Sequence, residues 1–166
     1  MKNTRLKEKV DTDRKNWKRM ANLLVVSHGS FAQGLCQSIG MIIGKDDHLF
    51  HCSLNEETGS EDFKDHFKAL IKQLSLSSEK LIVICDLYFG CPNIAAVECL
   101  KGLLNDADYR VVTGANLPMM LELCLANRSC PHDLDFLAEK ALTMGREGVK
   151  DFPIRQAESA AVDEAL

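Results

Sequence analysis

The sequence predicts an α/β domain, an open sheet of four parallel strands with helices on both of its faces. Three observations support this prediction. Short runs of Leu, Ile and Val alternate with longer segments whose apolar residues recur at helical spacing. The 166 residues, 46% hydrophobic and 27% charged, suffice for one domain with its own core. The longest purely apolar run, residues 81–85, is far too short to span a membrane.

The first half of the chain supplies two strands and two helices. Residues 22–27 (NLLVVS) form a nearly continuous apolar strand, and residues 29–43 follow as a helix. Residues 48–53 form a short second strand. Residues 60–74 form the second helix, because they carry the most regular apolar stripe of the chain.

The third strand is predicted at residues 81–85, since five consecutive apolar residues are typical where helices cover both faces of a parallel sheet. Pro92 suits the first turn of the helix that follows it. The fourth strand is predicted at residues 109–113. This alternation of strands and helices favours parallel pairing through right-handed crossovers.

Two helices and an edge strand complete the prediction. Asn116 is placed to cap a helix that runs through Leu125, and Asp133 to cap a helix that runs to Gly145. Residues 149–154 are expected to form a last strand at the edge of the sheet, where a proline is tolerated.

The predicted strand order is 2-1-3-4, the flavodoxin-like order of small four-stranded domains. In this order the chain reverses direction between strands 1 and 3, and a crevice opens beyond their carboxyl ends. The residues just past these two strands are His28 and Asp86. We therefore expect this pair to meet in the crevice.

His28 and Asp86 suit nucleophilic chemistry. A carboxylate that accepts a hydrogen bond from Nδ1–H selects the ring tautomer, leaves Nε2 as the nucleophile and stabilises the positive charge that the ring acquires. Helix starts after Gly29 and Gly90 offer backbone N–H groups and a positive dipole end to a phosphoryl group. The candidate phosphoryl-binding residues are Gly29, Gly90 and Cys91. A histidine after a strand can also be purely structural, and Asp86 at the matching position favours chemistry.

Charge and cysteine usage narrow the classes of function. The first 20 residues hold eight basic and three acidic residues without an apolar segment, so no secretory signal is expected. We expect a flexible basic tail over residues 1–20, a domain over 21–156 and a frayed end over 157–166. The 12 basic and 21 acidic residues after the tail argue against nucleic-acid binding.

Seven cysteines without a C-x-x-C pair favour free thiols in the cytoplasm, with no metal or cofactor.

Four ordered segments resemble one protein family. They read LLVVSHGSFAQGL (23–35), LIVICDLYFGCPNIAA (81–96), VVTGANLPMMLEL (111–123) and TMGREGVK (143–150). With these motifs the chain from about residue 21 to 152 resembles the enzyme IIA domain of the mannose/fructose/sorbose family of the bacterial phosphoenolpyruvate-dependent sugar phosphotransferase system.

The resemblance implies a phosphocarrier that takes a phosphoryl group from the histidine-containing phosphocarrier protein and passes it to an enzyme IIB. His28 matches the family's phosphorylated histidine, modified on Nε2, and Asp86 matches the aspartate that orients Nδ1. The resemblance also implies a homodimer whose subunits exchange an antiparallel strand, a role for residues 149–154. Enzyme IIB is expected as a separate chain, and the membrane sugar permease components as indirect partners.

The sequence departs from the family pattern in the stretch from Tyr88 to Pro92. Relatives carry a small hydroxyl residue before the proline and often two glycines ahead of it. A thiol is a weaker hydrogen-bond donor than a hydroxyl, so the backbone N–H of Cys91 is expected to serve the phosphoryl group. The bulk of Phe89 is expected to change the rate or the choice of partner.

Other assignments share parts of this pattern. An aspartyl-phosphate receiver needs acidic residues after strand 1, where this chain has Ser27, His28 and Gly29. A thiol phosphatase needs an arginine six positions after its cysteine, and that position is Val97. A regulatory or ligand-sensing module of the same fold remains an alternative assignment. The phosphocarrier subunit of dihydroxyacetone kinases has a similar architecture, but the segment TGANLPM fits the sugar-transport group better.

Overall fold

The computed structural model describes residues 20–57, 59–76, 78, 80–129 and 133–152. Strands and helices alternate along these residues. The elements are β1 (Asn22–His28), α1 (Phe31–Ile43), β2 (Leu49–Leu54), α2 (Ser60–Leu74), β3 (Leu81–Cys85), α3 (Cys91–Leu103), β4 (Tyr109–Thr113), α4 (Leu117–Ser129) and α5 (Leu134–Glu147).

The four strands form one parallel sheet in the order β2-β1-β3-β4, which confirms the predicted topology. The register places Val26 of β1 opposite Cys52 of β2 on one side and Cys85 of β3 on the other. The ends of β1 and β3 therefore lie next to each other at the carboxyl edge of the sheet. This is the point where the strand order reverses.

Helices cover both faces of the sheet. Leu23 and Val25 of β1 point to the face packed by α1, α4 and α5, whereas Leu24 and Val26 point to the face packed by α2 and α3. Because both faces are covered, β1 and β3 read as continuous apolar runs. Phe67 of α2 is fully buried, and burial of such a side chain contributes about 2 to 3 kcal/mol.

The two predicted helix caps are confirmed. Asn116 Oδ1 accepts the backbone N–H of Met119 at 3.0 Å at the start of α4. Asp133 accepts the backbone N–H of Phe136 at 2.7 Å at the start of α5. Each cap satisfies one of the N–H groups that have no partner within the helix.

Several predicted boundaries are wrong by one or a few residues. α1 begins at Phe31 rather than at residue 29, because Gly29 has a φ of +52° and cannot continue into a right-handed helix. β2 covers Leu49–Leu54, one residue later than predicted. His28 is the last residue of β1 rather than the first residue after it. α4 continues to Ser129, past the predicted end.

The predicted C-terminal strand is not seen in the described part of the chain. Residues 149–152 belong to no strand, and residues 153–154 lie outside the described residues. Strand exchange between subunits therefore stays a prediction. The described residues also exclude the predicted basic tail, apart from Met20, and the predicted frayed end. In the described part of the chain, no helix is both long enough and apolar enough to cross a membrane.

Candidate functional site

The carboxyl edge of the sheet brings His28 and Asp86 together. His28 ends β1, and Asp86 directly follows β3. The backbone N–H of Asp86 donates to the Val26 carbonyl at 3.1 Å, so the parallel pairing of β1 and β3 extends to the site. The backbone of both residues is thus tied to the centre of the sheet.

The carboxylate of Asp86 is held by three hydrogen bonds. Its Oδ2 atom accepts the backbone N–H of His28 at 2.8 Å and lies 2.9 Å from His28 Nδ1. Its Oδ1 atom accepts the backbone N–H of Leu87 at 2.8 Å. A carboxylate only accepts hydrogen bonds, so Nδ1 of a neutral His28 ring carries the proton and the lone pair lies on Nε2.

The His28 ring is open to solvent while its partner is shielded. The side chain of His28 is 46% exposed, whereas that of Asp86 is 17% exposed. Nearby, burial raises the pKa of the Cys85 thiol to about 11, so this thiol stays protonated. The His28 imidazole is thus oriented by Asp86 and open to solvent on its Nε2 side.

Gly90 lies against the imidazole ring. A Cβ atom at this position would stand 2.8 Å from His28 Cε1, closer than real Cβ contacts allow. Gly90 is also the N-cap of α3. Only a glycine therefore lets the start of α3 approach the histidine this closely.

Gly29 forms the turn between His28 and α1. Its φ of +52° lies in the left-handed region that favours glycine, and a Cβ atom there would meet nothing within 4 Å. Its backbone N–H donates to the Leu54 carbonyl at 2.8 Å. Ser27 Oγ accepts the backbone N–H of Ala32 at 2.8 Å, which anchors the first turn of α1 below the site. The chain thus turns sharply away from His28 and leaves the ring uncovered.

Cys91 is the first residue of α3, and its side chain is exposed. Pro92 follows it in the first turn, where a missing N–H costs nothing. Because Gly90 contacts the His28 ring, the positive dipole end of α3 is on the same side of the site as the imidazole. Of the three positions predicted for phosphoryl binding, Gly29 borders His28 along the chain and Gly90 borders it in space, and Cys91 follows Gly90 at the start of α3.

The sequence prediction missed Asn93, which secures the loop between β3 and α3. Its Oδ1 atom accepts the backbone N–H of Phe89 at 3.3 Å, and its Nδ2 atom donates to Cys85 Sγ at 3.5 Å. The residue is only 7% exposed. The sequence signal that could have identified it is an asparagine in the predicted first turn of the helix after Asp86, because a short amide side chain there can bond the backbone of the preceding loop.

The charge around the site is acidic. Glu56 and Glu57 are exposed directly after β2, at the same edge as Asp86. The loops that follow the four strands contain no Lys or Arg. Among the described residues, no group of three or more His, Cys, Asp or Glu side chains is arranged to hold a metal ion.

The chain matches one family model and several relatives named as phosphotransferase-system components. Residues 22–142 match the family model EIIA-man, described as the PTS system fructose IIA component. The chain is 26% identical over 139 residues to the PTS system mannose-specific EIIAB component of Escherichia coli strain K12. That match covers 84% of this chain and 42% of the relative, so the chain spans less than half of the relative's length.

Two further relatives are single components. The PTS system fructose-specific EIIA component of Bacillus subtilis strain 168 is 26% identical over 104 residues, which cover 63% of this chain and 68% of that protein. The solved mannose/sorbose specific IIA subunit of the phosphotransferase system from Enterococcus faecalis superposes with a TM-score of 0.69 at 26% identity. It covers 80% of this chain and 95% of its own.

Proposed function

The chain belongs to the EIIA-man family of phosphotransferase-system IIA components, whose model matches residues 22–142, and we propose that it carries a phosphoryl group on Nε2 of His28. The donor is the histidine-containing phosphocarrier protein, and the acceptor is an enzyme IIB. The observation that carries this proposal is the double contact of Asp86 Oδ2 with the backbone and the ring of His28.

The transfer is a displacement at phosphorus. The lone pair on His28 Nε2 attacks the phosphorus atom of the donor's phosphohistidine, a new N–P bond forms, and the donor's N–P bond breaks with its electron pair returning to the donor ring. The Nδ1 proton of His28 stays in place. Asp86 offsets the positive charge that develops on the imidazole, because its carboxylate oxygen lies 2.9 Å from Nδ1. The reverse displacement passes the group to the acceptor.

Gly29, Gly90 and Cys91 are proposed to surround the phosphoryl group, with the backbone N–H of Cys91 as a donor, because the N–H groups of Gly29 and Gly90 donate to the Leu54 and Leu87 carbonyls. Helix starts supply such donors together with a positive dipole end, and α3 starts beside the ring. The exposed Cys91 thiol adds only a weak donor. The phosphoryl oxygens therefore depend on the backbone of this loop rather than on side chains.

The proposal also covers the oligomeric state, the downstream partners and the location of the protein. We infer a homodimer in which residues 149–154 pair with the sheet of a second subunit, and membrane permease components that act downstream of enzyme IIB. A cytoplasmic location fits this relay and the six described cysteines, all of which are free thiols. The acidic edge around Glu56 and Glu57 favours partners with basic contact surfaces, so docking weakens as salt increases.

The proposal is tested by incubating the full chain with phosphoenolpyruvate, enzyme I and the phosphocarrier protein, followed by intact-mass spectrometry. The expected product is one acid-labile phosphoryl group that His28→Ala abolishes. His51→Ala is the matched control, because His51 is an exposed histidine on β2 outside the site. An adduct that persists in His28→Ala, or no adduct at all, would refute the proposed function.

A further inference from the structure

Leu87, Tyr88 and Phe89 form an exposed apolar projection beside the His28–Asp86 pair, called the aromatic tip below. These residues are 58%, 67% and 69% exposed. The rings of Tyr88 and Phe89 contact each other, with centroids 4.3 Å apart. Contiguous apolar groups on a protein surface mark sites of interaction rather than sites of stability.

The backbone of the aromatic tip is strained and still well anchored. Phe89 has a φ of 58°, a left-handed conformation that costs a residue with a side chain about 1 to 2 kcal/mol. The loop is held by the bond from Phe89 N–H to Asn93 Oδ1 and by the bond from Gly90 N–H to the Leu87 carbonyl at 3.2 Å. Strain of this kind persists where neighbouring structure enforces it, and it is typical of functional sites.

Leu87 at one end of the aromatic tip and Gly90, the residue after its other end, both contact the His28–Asp86 pair. At one end, the backbone N–H of Leu87 donates to Asp86 Oδ1 at 2.8 Å. At the other end, Gly90 lies against His28 Cε1. A molecule that packs on the aromatic tip is therefore held at a defined position relative to Nε2.

The charge of this edge indicates the chemistry of that molecule. The loops around the aromatic tip contribute Glu56 and Glu57 and no basic residue. A complementary surface has an apolar centre that covers Tyr88 and Phe89 and a basic border that faces the glutamates. A small phosphorylated metabolite has no such surface, whereas a carrier protein has.

We propose that the aromatic tip is the docking anchor for the protein that delivers the phosphoryl group, and that it makes the site selective for this donor over small phosphoryl donors. This inference rests on the proposed function of His28. The aromatic tip takes no part in bond formation; it supplies binding energy and orientation, as buried aromatic anchors do at protein interfaces. Its rigid backbone lowers the ordering cost of docking.

The test compares two donors on the same protein. One is the phosphorylated carrier protein, and the other is phosphoramidate, whose N–P bond breaks with release of ammonia. Phe89→Gly and Tyr88→Ala remove the two rings, and glycine adopts the conformation of residue 89 without strain, so the first variant stays folded. Leu76→Ala is the matched control, because Leu76 is 88% exposed and follows α2 at the opposite end of the sheet.

We expect the second-order rate constant for phosphorylation by the carrier protein to fall by about tenfold or more in each variant. A loss of this size is typical when one anchor residue is removed from a protein interface. The rate from phosphoramidate stays at its original value in both variants, and Leu76→Ala changes neither rate. An unchanged carrier rate, or an equal fall with both donors, overturns the inference. If neither donor modifies His28 in the unaltered chain, the proposed function itself fails.

Discussion

A single carboxylate oxygen of Asp86 binds His28 at two points, the backbone N–H at 2.8 Å and the ring Nδ1 at 2.9 Å. The backbone contact keeps the carboxylate in place while the ring is exposed to solvent. The ring contact directs the Nε2 lone pair outward. The same oxygen is thus both a structural link between β1 and β3 and the group that orients the proposed nucleophile.

Asp86→Asn tests the charge of this contact at nearly constant shape. The amide offers no negative charge to the imidazole, and its –NH₂ group is a donor that cannot accept the Nδ1 proton. We expect the rate of phosphorylation by the carrier protein to fall by about 100-fold or more, as in other His–Asp pairs. Rapid-quench measurements give this rate. A rate equal to that of the unaltered chain would show that Asp86 serves only to join the strands.

Gly90→Ala tests the close approach of α3 to the ring. The added Cβ would meet His28 Cε1 at 2.8 Å and Leu87 Cβ at 3.3 Å, so the imidazole or the loop must shift. A shift of the reacting group is expected to slow transfer by about tenfold or more.

The control for this substitution is Gly102→Ala, on the same helix, where the new Cβ meets nothing within 4 Å. It should leave the rate unchanged and stabilise α3 by up to about 1 kcal/mol. Steady-state kinetics and urea unfolding measure the two effects. Equal rates for Gly90→Ala and Gly102→Ala would contradict the importance of the contact.

His48 is expected to make the stability of the fold depend on pH. It is 2% exposed, and its Nδ1 atom lies 3.3 Å from Asn22 Oδ1. Burial lowers the pKa of His48 below its ordinary value of 6.5, although Asp46 and Asp47 act in the opposite direction. The unfolded chain then binds a proton more readily than the folded chain. Stability therefore falls as the pH drops below about 6.5 and is retained above it.

Urea unfolding at several pH values around 6.5 measures how the unfolding free energy changes with pH. His48→Gln should flatten the dependence, because the titrating group is gone. His51→Gln should leave it as it is, since His51, three residues further along the chain, is exposed. A slope that is the same in both variants would assign the pH dependence to other groups.

Arg128 closes the C-terminal end of α1. Its guanidinium binds Asp46 Oδ2 and the Ile43 carbonyl, both at 2.9 Å. The Asp46 side chain is only 3% exposed, so Arg128→Met leaves a buried carboxylate without its cation. We expect a loss of about 3 kcal/mol of unfolding free energy, with phosphoryl transfer unchanged because the site is at the other end of the sheet.

Lys45→Met is the control for Arg128→Met. Lys45 forms an ion pair with Asp47 at 2.6 Å, but both side chains are largely exposed. Solvent screens such an exposed pair, so its loss should change the unfolding free energy little. Chemical unfolding compares the two variants, and similar losses would contradict the role of burial.

Much of this architecture is accessible from local patterns. The apolar runs of β1 and β3 predict buried parallel strands, and that placement alone brings His28 and Asp86 to one edge. The caps at Asn116 and Asp133 follow from short-range chemistry. These features depend on residues within a few positions of one another.

Other features depend on tertiary contacts that no local pattern contains. The left-handed backbone of Phe89 is held by the loop around it, and the closeness of Gly90 to the His28 ring appears only when β1 and α3 meet. Arg128 and Asp46 are 82 residues apart in the chain. The start of α1 at Phe31 likewise depends on the turn at Gly29 and on its bond to Leu54.

The central claim is that the phosphoryl group resides on Nε2 of His28. The most direct measurement is phosphorus-31 NMR of the full chain after its histidines are labelled with nitrogen-15 and the carrier protein has phosphorylated it. We predict a single signal coupled to Nε2 of His28 and absent from His28→Ala. A signal coupled to Nδ1, or a phosphoryl group on Cys91 or another residue, would contradict the claim.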